Sequence, residues 1–249
     1  MRTALLIHHD SNSSVGLLGP IISEAGFTVK EHFICTELSS PVPDGGLPTL
    51  DGVDLLVVLG SRWSVYDEES IGAWIGDEVE LLRQADTRGI PTLGICFGAQ
   101  ALAAAFGGSV RPGPFEEIGW VQVDPAPLSV EHPSDNQAAA ASQLAAAVAP
   151  ARWFQWHLDV FEPPPSATVL AHSPAGPQAF LLRTCLAVQY HPEVDPSVLE
   201  CWFENDRDQL VSAGLDPDAI LAETARLAPL TEPKTRALFE AFVATYFSD

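Results

Sequence analysis

The chain has 249 residues, 47% of them hydrophobic and 18% charged, a composition typical of globular rather than disordered chains. Its 33 acidic and 12 basic side chains give a net charge of −21, and a surface that acidic repels phosphate backbones, which argues against nucleic acid as a partner. No apolar run approaches the roughly 20 residues that span a bilayer, and the first residues lack a signal-peptide body, so the sequence predicts a cytoplasmic protein with no membrane contact.

In chain order, Thr3 to His9 reads as a strand and Ser14 to Ala25 as a helix closed by Gly26. Thr28 to Ile34 is a second strand. Asp54 to Gly60 is a continuous apolar run, as expected of a strand buried on both faces. Ile71 to Arg88 is helical, 91–95 is a short strand, and a helical run from Phe97 to Phe106 follows at once. This alternation predicts an α/β fold, with an open, mostly parallel sheet and helices on both faces. From Glu117 the texture changes. Segments 117–123, 153–161, 168–172 and 178–190 read as strands, several of them antiparallel, with an Ala-rich helix over 138–149. Residues from Asp195 to the end are helical, with breaks near Gly214–Pro217 and at Pro229–Pro233. No repeat or long linker interrupts the chain, so 1–249 reads as a single domain with 196–249 as a helical extension. Leu199, Trp202, Phe203, Leu210, Leu238, Phe239, Phe242 and Tyr246 recur at helical spacings. They are expected to pack on the sheet, with a dimer or partner surface as the alternative.

The four cysteines, Cys35, Cys96, Cys185 and Cys201, show no C-x-x-C spacing and no His/Cys box, so free thiols are expected, with no metal site and no cofactor. Cys96 stands apart. It lies where a strand turns into a helix, flanked by Gly94 and Gly98 in a G-x-C-x-G pattern. The glycines remove bulk that would clash in so tight a turn, as in a nucleophile elbow. The helix start beyond it favours a thiolate, and the Phe97 N–H faces the space where an oxyanion would form.

A thiolate nucleophile needs a base, and the base an orienting group. Of seven histidines, His8, His9, His32, His132, His157, His172 and His191, two have informative neighbours. His191 follows an apolar strand and precedes Pro192 and Glu193. His157 stands in Trp156-His157-Leu158-Asp159, also two residues from a carboxylate and on the same strand face as it. On the residues alone both remain candidates.

Four segments together resemble the class I glutamine amidotransferase domain, the type found in GMP synthetase and in stand-alone proteins. These are Gly94-Ile95-Cys96-Phe97-Gly98-Ala99-Gln100, Gln189-Tyr190-His191-Pro192-Glu193, Gly60-Ser61-Arg62-Trp63-Ser64-Val65-Tyr66-Asp67 and Glu116-Glu117-Ile118-Gly119-Trp120. The resemblance covers about Leu55 to Glu193. It implies a flavodoxin-like fold and a Cys96–His191–Glu193 triad. The backbone of Ser61 and Phe97 would hold the oxyanion, and Gln100, Gly60 and His157 would lie at the substrate pocket. The sequence departs from the family at Ser61 and Arg62, where G-G-P is usual. Serine cannot take every backbone geometry open to glycine, so the loop can be remodelled.

The implied reaction is hydrolysis of the glutamine side-chain amide through a γ-glutamyl thioester, with ammonia passed to a separate synthetase, since no Walker A sequence is present. Two alternatives stand beside it. One is hydrolysis of a γ-glutamyl peptide or polyamine by the same triad. The other is a catalytically silent binding module.

Overall fold

The computed structural model describes residues 1–38, 40–128 and 135–247. His132 lies outside the described residues. The first half builds β1 (Arg2–His8), α1 (Leu18–Glu24), β2 (Phe27–Phe33), β3 (Leu55–Val58), α2 (Glu68–Ile71), α3 (Ile75–Thr87), β4 (Thr92–Ile95) and α4 (Phe97–Ala105). The second half adds β5 (Ser109–Pro125), α5 (Asp135–Val148), β6 (Ala151–Glu162), β7 (Thr168–Ser173), β8 (Gly176–Leu182), β9 (Cys185–Val188), α6 (Pro196–Ser212) and α7 (Pro217–Tyr246).

The nine strands form one sheet in the order β2-β1-β3-β4-β9-β8-β7-β5-β6. Strands β2, β1, β3, β4 and β9 pair in parallel, and the remaining neighbours are antiparallel. Both faces of β1, β3, β4 and β9 are covered, which is why these strands are apolar without alternation, whereas β2 at the sheet edge is largely exposed and carries Lys30, Glu31 and His32. Ala4, Leu6, Leu55, Val57, Leu93, Ile95, Leu186 and Val188 pack on one face under α1, α5 and α7. Leu5, Ile7, Leu56, Val58, Cys185 and Ala187 pack on the other under α3 and α4. The fold is the expected α/β class.

Several local expectations shift. The first helix starts at Leu18 rather than Ser14. The preceding turn is drawn across to the site instead, where Leu17 N–H donates to the Glu193 carbonyl at 2.9 Å. The helix expected over 71–88 is two, broken at 72–74, and the break turns Trp74 into the core, where its Nε1 donates to the Pro41 carbonyl. The strand expected over 178–190 is a hairpin, β8 and β9. The turn contains no glycine, and Arg183 takes a left-handed φ of 51°.

The break expected at Pro229 and Pro233 does not occur, and α7 runs 30 residues through both. The two prolines sit four residues apart and both face solvent, so water can reach the carbonyls that lose a donor. The opposite face stays packed through Thr224, Ala228, Thr231, Thr235 and Leu238. The helix starts themselves follow local chemistry. Asp195 and Asp216 cap α6 and α7, each followed by proline at the first helical position.

Candidate active site

Strand pairing brings the two candidate segments together. In the parallel pair of β4 and β9, Ile95 lies opposite Val188, so both chains leave the sheet at the same edge. Cys96 N–H donates to the Val188 carbonyl at 2.8 Å, which fixes the elbow to the neighbouring strand. Three residues beyond Val188, His191 N–H donates to the Phe154 carbonyl of β6, also at 2.8 Å. The site therefore lies beyond the carboxyl ends of parallel strands, where open α/β sheets form their clefts.

Cys96 sits at φ 53° and ψ −105°, a left-handed backbone that a non-glycine residue adopts only when its surroundings hold it there. Gly98 explains the tightness. A Cβ on it would lie 2.2 Å from the Val58 carbonyl oxygen, so only glycine lets α4 start directly against β3. Gly60 allows a second close approach. A Cβ there would meet His191 Cε1 at 3.0 Å and Cys96 Cβ at 3.7 Å.

His191 and Glu193 are both buried, and His191 Nδ1 lies 2.7 Å from Glu193 Oε1. Burial works against a charged imidazole, but the Glu193 carboxylate and the Cys96 sulfur outweigh it and raise His191 to about 10. The other ring nitrogen, Nε2, is buried without a regular hydrogen-bond partner, and the neighbouring Cys96 sulfur is the group that acts on the ring there. The sulfur also accepts from Gln189 Nε2 at 3.6 Å and approaches the Trp156 carbonyl at 3.8 Å.

A cavity of about 230 Å³ opens over these groups. Gly60, Ser61, Cys96, Phe97, Gln100, His157, His191 and Glu193, every site residue expected from the sequence, lie along its wall. Gln100 is held by its amide nitrogen, which donates to the Asp159 carbonyl and to Gln189 Oε1. His157 is in the wall but is committed elsewhere. Its Nδ1 bonds the Asp159 carbonyl at 3.0 Å and its Nε2 bonds Glu117 Oε2 at 3.1 Å. Glu117 also accepts from Ser173 and Gln178, so the E-I-G and W-H-x-D segments meet in one buried network. With both nitrogens engaged, His157 has none to offer a proton in flight. Asp159 in turn accepts from Ser64 Oγ at 2.5 Å and Tyr66 Oη at 2.7 Å, which ties the 60–67 loop to β6.

The departure from G-G-P has a structural outlet. Arg62 points to the rim, donating to the Leu38 carbonyl at 2.9 Å and pairing with Asp206 of α6 at 2.8 Å. Helix α6 thus borders the site, through Asp206, Gln209 and Trp202, whose ring stands edge-on to His191 at 5.0 Å. These three were not singled out in the sequence for the site. Their only local sign is the stripe 202, 206, 209 along one helical face. Gln189 opens the Gln189–Glu193 segment, and its contact with the Cys96 sulfur has no local sign in the sequence. Among the described residues no group of three or more His, Cys, Asp or Glu side chains could hold a metal ion. No helix in them is long and apolar enough to cross a membrane.

Residues 39–206 match the family described as glutamine amidotransferase class-I. A GMP synthase (glutamine-hydrolysing) of Thermomicrobium roseum is 32% identical over 145 residues, 56% of this chain but 23% of that one, so the chain spans about a quarter of this relative. A glutamine amidotransferase-like protein of Salmonella typhimurium, YfeJ, is 25% identical over 217 residues, 86% of this chain and 84% of that one. The crystal structure of a glutamine amidotransferase from Thermotoga maritima superposes with a TM-score of 0.81 at 28% identity, over 97% of this chain and 98% of that one. The family match spans more than half of the chain and includes the elbow cysteine, and the Thermotoga maritima structure shares the fold nearly end to end; this chain belongs to the class I glutamine amidotransferase family.

Proposed function

We propose that this chain hydrolyses the side-chain amide of L-glutamine to glutamate and ammonia, with Cys96 as nucleophile, His191 as general acid and base, and Glu193 as the group that orients it. One observation carries this reading. The buried His191–Glu193 pair leaves Nε2 open beside the Cys96 sulfur, at the wall of a cavity large enough for a small substrate.

The chemistry follows from the charges. A protonated His191 beside the sulfur favours attack as thiolate. The sulfur adds to the amide carbon, and the carbonyl oxygen becomes an oxyanion against the backbone N–H groups of Ser61 and Phe97. His191 gives its proton to the departing nitrogen, which leaves as ammonia, and a γ-glutamyl thioester remains. His191, now neutral, takes a proton from water. The hydroxide displaces the sulfur, releasing glutamate and restoring the thiolate–imidazolium pair. Gln100 and the Gly60 backbone serve as substrate contacts, with His157 as part of the wall.

The ammonia passes to a separate acceptor-activating synthetase, a reading supported by the GMP synthases among the relatives. Residues 1–249 act in this as one glutamine amidotransferase-like unit. A diazoketone analogue of glutamine, whose electrophilic carbon stands where the amide would, tests the assignment. Mass spectrometry should find a single adduct on Cys96, suppressed by excess glutamine. An adduct elsewhere, or none while γ-glutamyl amides of larger amines are turned over, would move the assignment to a γ-glutamyl hydrolase.

A further inference from the structure

Besides His191–Glu193 and His157–Glu117, a third buried His–Glu pair lies behind the site, and the reaction above does not use it. His9 follows directly on β1 and Glu78 belongs to α3, and both are buried. His9 Nε2 lies 2.9 Å from Glu78 Oε1, and His9 Nδ1 lies 2.9 Å from the Gly60 carbonyl oxygen. The ring is wedged between Trp74, stacked at 5.6 Å, and Phe97, edge-on at 4.5 Å.

The Gly60 oxygen can only accept, so Nδ1 must carry a proton whatever the state of Glu78. The Gly60–Ser61 bond is trans, since the only cis bond among the described residues is Ala149–Pro150. Across a trans peptide the C=O and N–H point in opposite directions. Holding the Gly60 carbonyl toward His9 therefore turns the Ser61 N–H the other way. Ser61 lines the cavity with Cys96, and Gly60 abuts both Cys96 and His191. Glycine is the residue whose peptide rotates most freely, so the orientation needs an external hold.

We propose that His9, itself fixed by Glu78, is a positioning residue that locks the Gly60–Ser61 peptide with the Ser61 N–H facing the reacting carbonyl. This rests on the amide hydrolysis proposed above. Burial opposes a charge on His9, but Glu78 more than offsets it and His9 is raised above its usual value, which suits a ring donating from both nitrogens.

Two variants separate the lock from mere packing. His9→Phe keeps a ring between Trp74 and Phe97 but offers no N–H. His9→Asn loses the ring but keeps a donor where Nδ1 stands. The lock predicts that H9F loses about 100-fold in kcat, the cost of one oxyanion donor. Its KM should stay within about threefold, and Cys96 should still alkylate with iodoacetamide at the wild-type rate, since that reaction needs no oxyanion donor. H9N should recover most of kcat. H9F at wild-type kcat, or folded H9N as slow as H9F, overturns the lock. If H9F does not fold, H9N alone decides: kcat near the wild type upholds the lock, and a folded H9N about 100-fold slower overturns it. If the wild type releases nothing from glutamine or γ-glutamyl amides, the proposed reaction fails and the lock is decided by crystallography. A rotated Gly60–Ser61 peptide in H9F then upholds it, and an unchanged one overturns it.

Discussion

At the scale of single residues, the site separates four chemically similar cysteines by environment. Cys96 sits at a left-handed elbow beside a histidine raised to about 10. Burial pushes Cys35 up to about 11 and Cys185 up to about 12, and Cys201 is raised as well. One equivalent of iodoacetamide near neutral pH is therefore expected to label Cys96 first in the folded protein, as peptide mapping would read, and Cys96→Ser to abolish that fast phase. The His191–Glu193 pair makes a second prediction. His191 binds its proton more tightly folded than unfolded, so its contribution to stability is complete below about pH 6.5 and is lost as pH rises through about 10. The melting temperature should fall across that window, and Glu193→Gln, which removes the largest raising influence, should flatten the slope. A slope unchanged in the variant would place the alkaline loss in other groups.

Elements position these residues in ways that are unequally legible in sequence. The elbow and the Gln189–Glu193 segment are legible because each is a strand end plus a few residues, fixed by local glycines, a proline and an apolar run. The contest between His157 and His191 was open at the residue level, because both have a carboxylate two residues on. The resemblance favours His191, and the packing of β5 against β6, which brings Glu117 to His157, adds a long-range contact that no local spacing shows. The His9–Glu78 pair joins residues 69 apart, one just beyond β1 and one on α3, and no local spacing announces such a contact. The prolines of α7 leave the helix unbroken for a related reason. Their cost depends on which face they occupy, and that is a tertiary fact. Helix α7 in turn holds the loop between His191 and Glu193, since Thr235 Oγ1 donates to the Pro192 carbonyl at 2.7 Å and both residues are buried. Thr235→Val should leave that carbonyl unpaired, cost about 1–3 kcal/mol in urea unfolding and lower kcat by loosening His191 and Glu193 together. Full stability in the variant would remove α7 from the support of the site.

On the scale of the whole molecule, the helical C-terminal segment is not an appendage to the chemistry. Helix α7 completes the core over one sheet face with Leu238, Phe239 and Phe242. Helix α6 packs on Trp120 and Phe154 through Val198, Leu199 and Phe203 and lends Trp202, Asp206 and Gln209 to the rim of the cavity. The open, mostly parallel α/β sheet was legible from the alternation of strands and helices in the first half, and the family fold from the resemblance of the four motif segments. The share of the site contributed by α6 was not, because it depends on how far a helix reaches back over the sheet. If Cys96 attacks the amide of glutamine, the purified protein releases glutamate and ammonia from L-glutamine, and Cys96→Ala measured beside it does not. Equimolar glutamate and ammonia are expected from the wild type and none above background from the variant. Glutamate release that survives in a folded Cys96→Ala protein would contradict it.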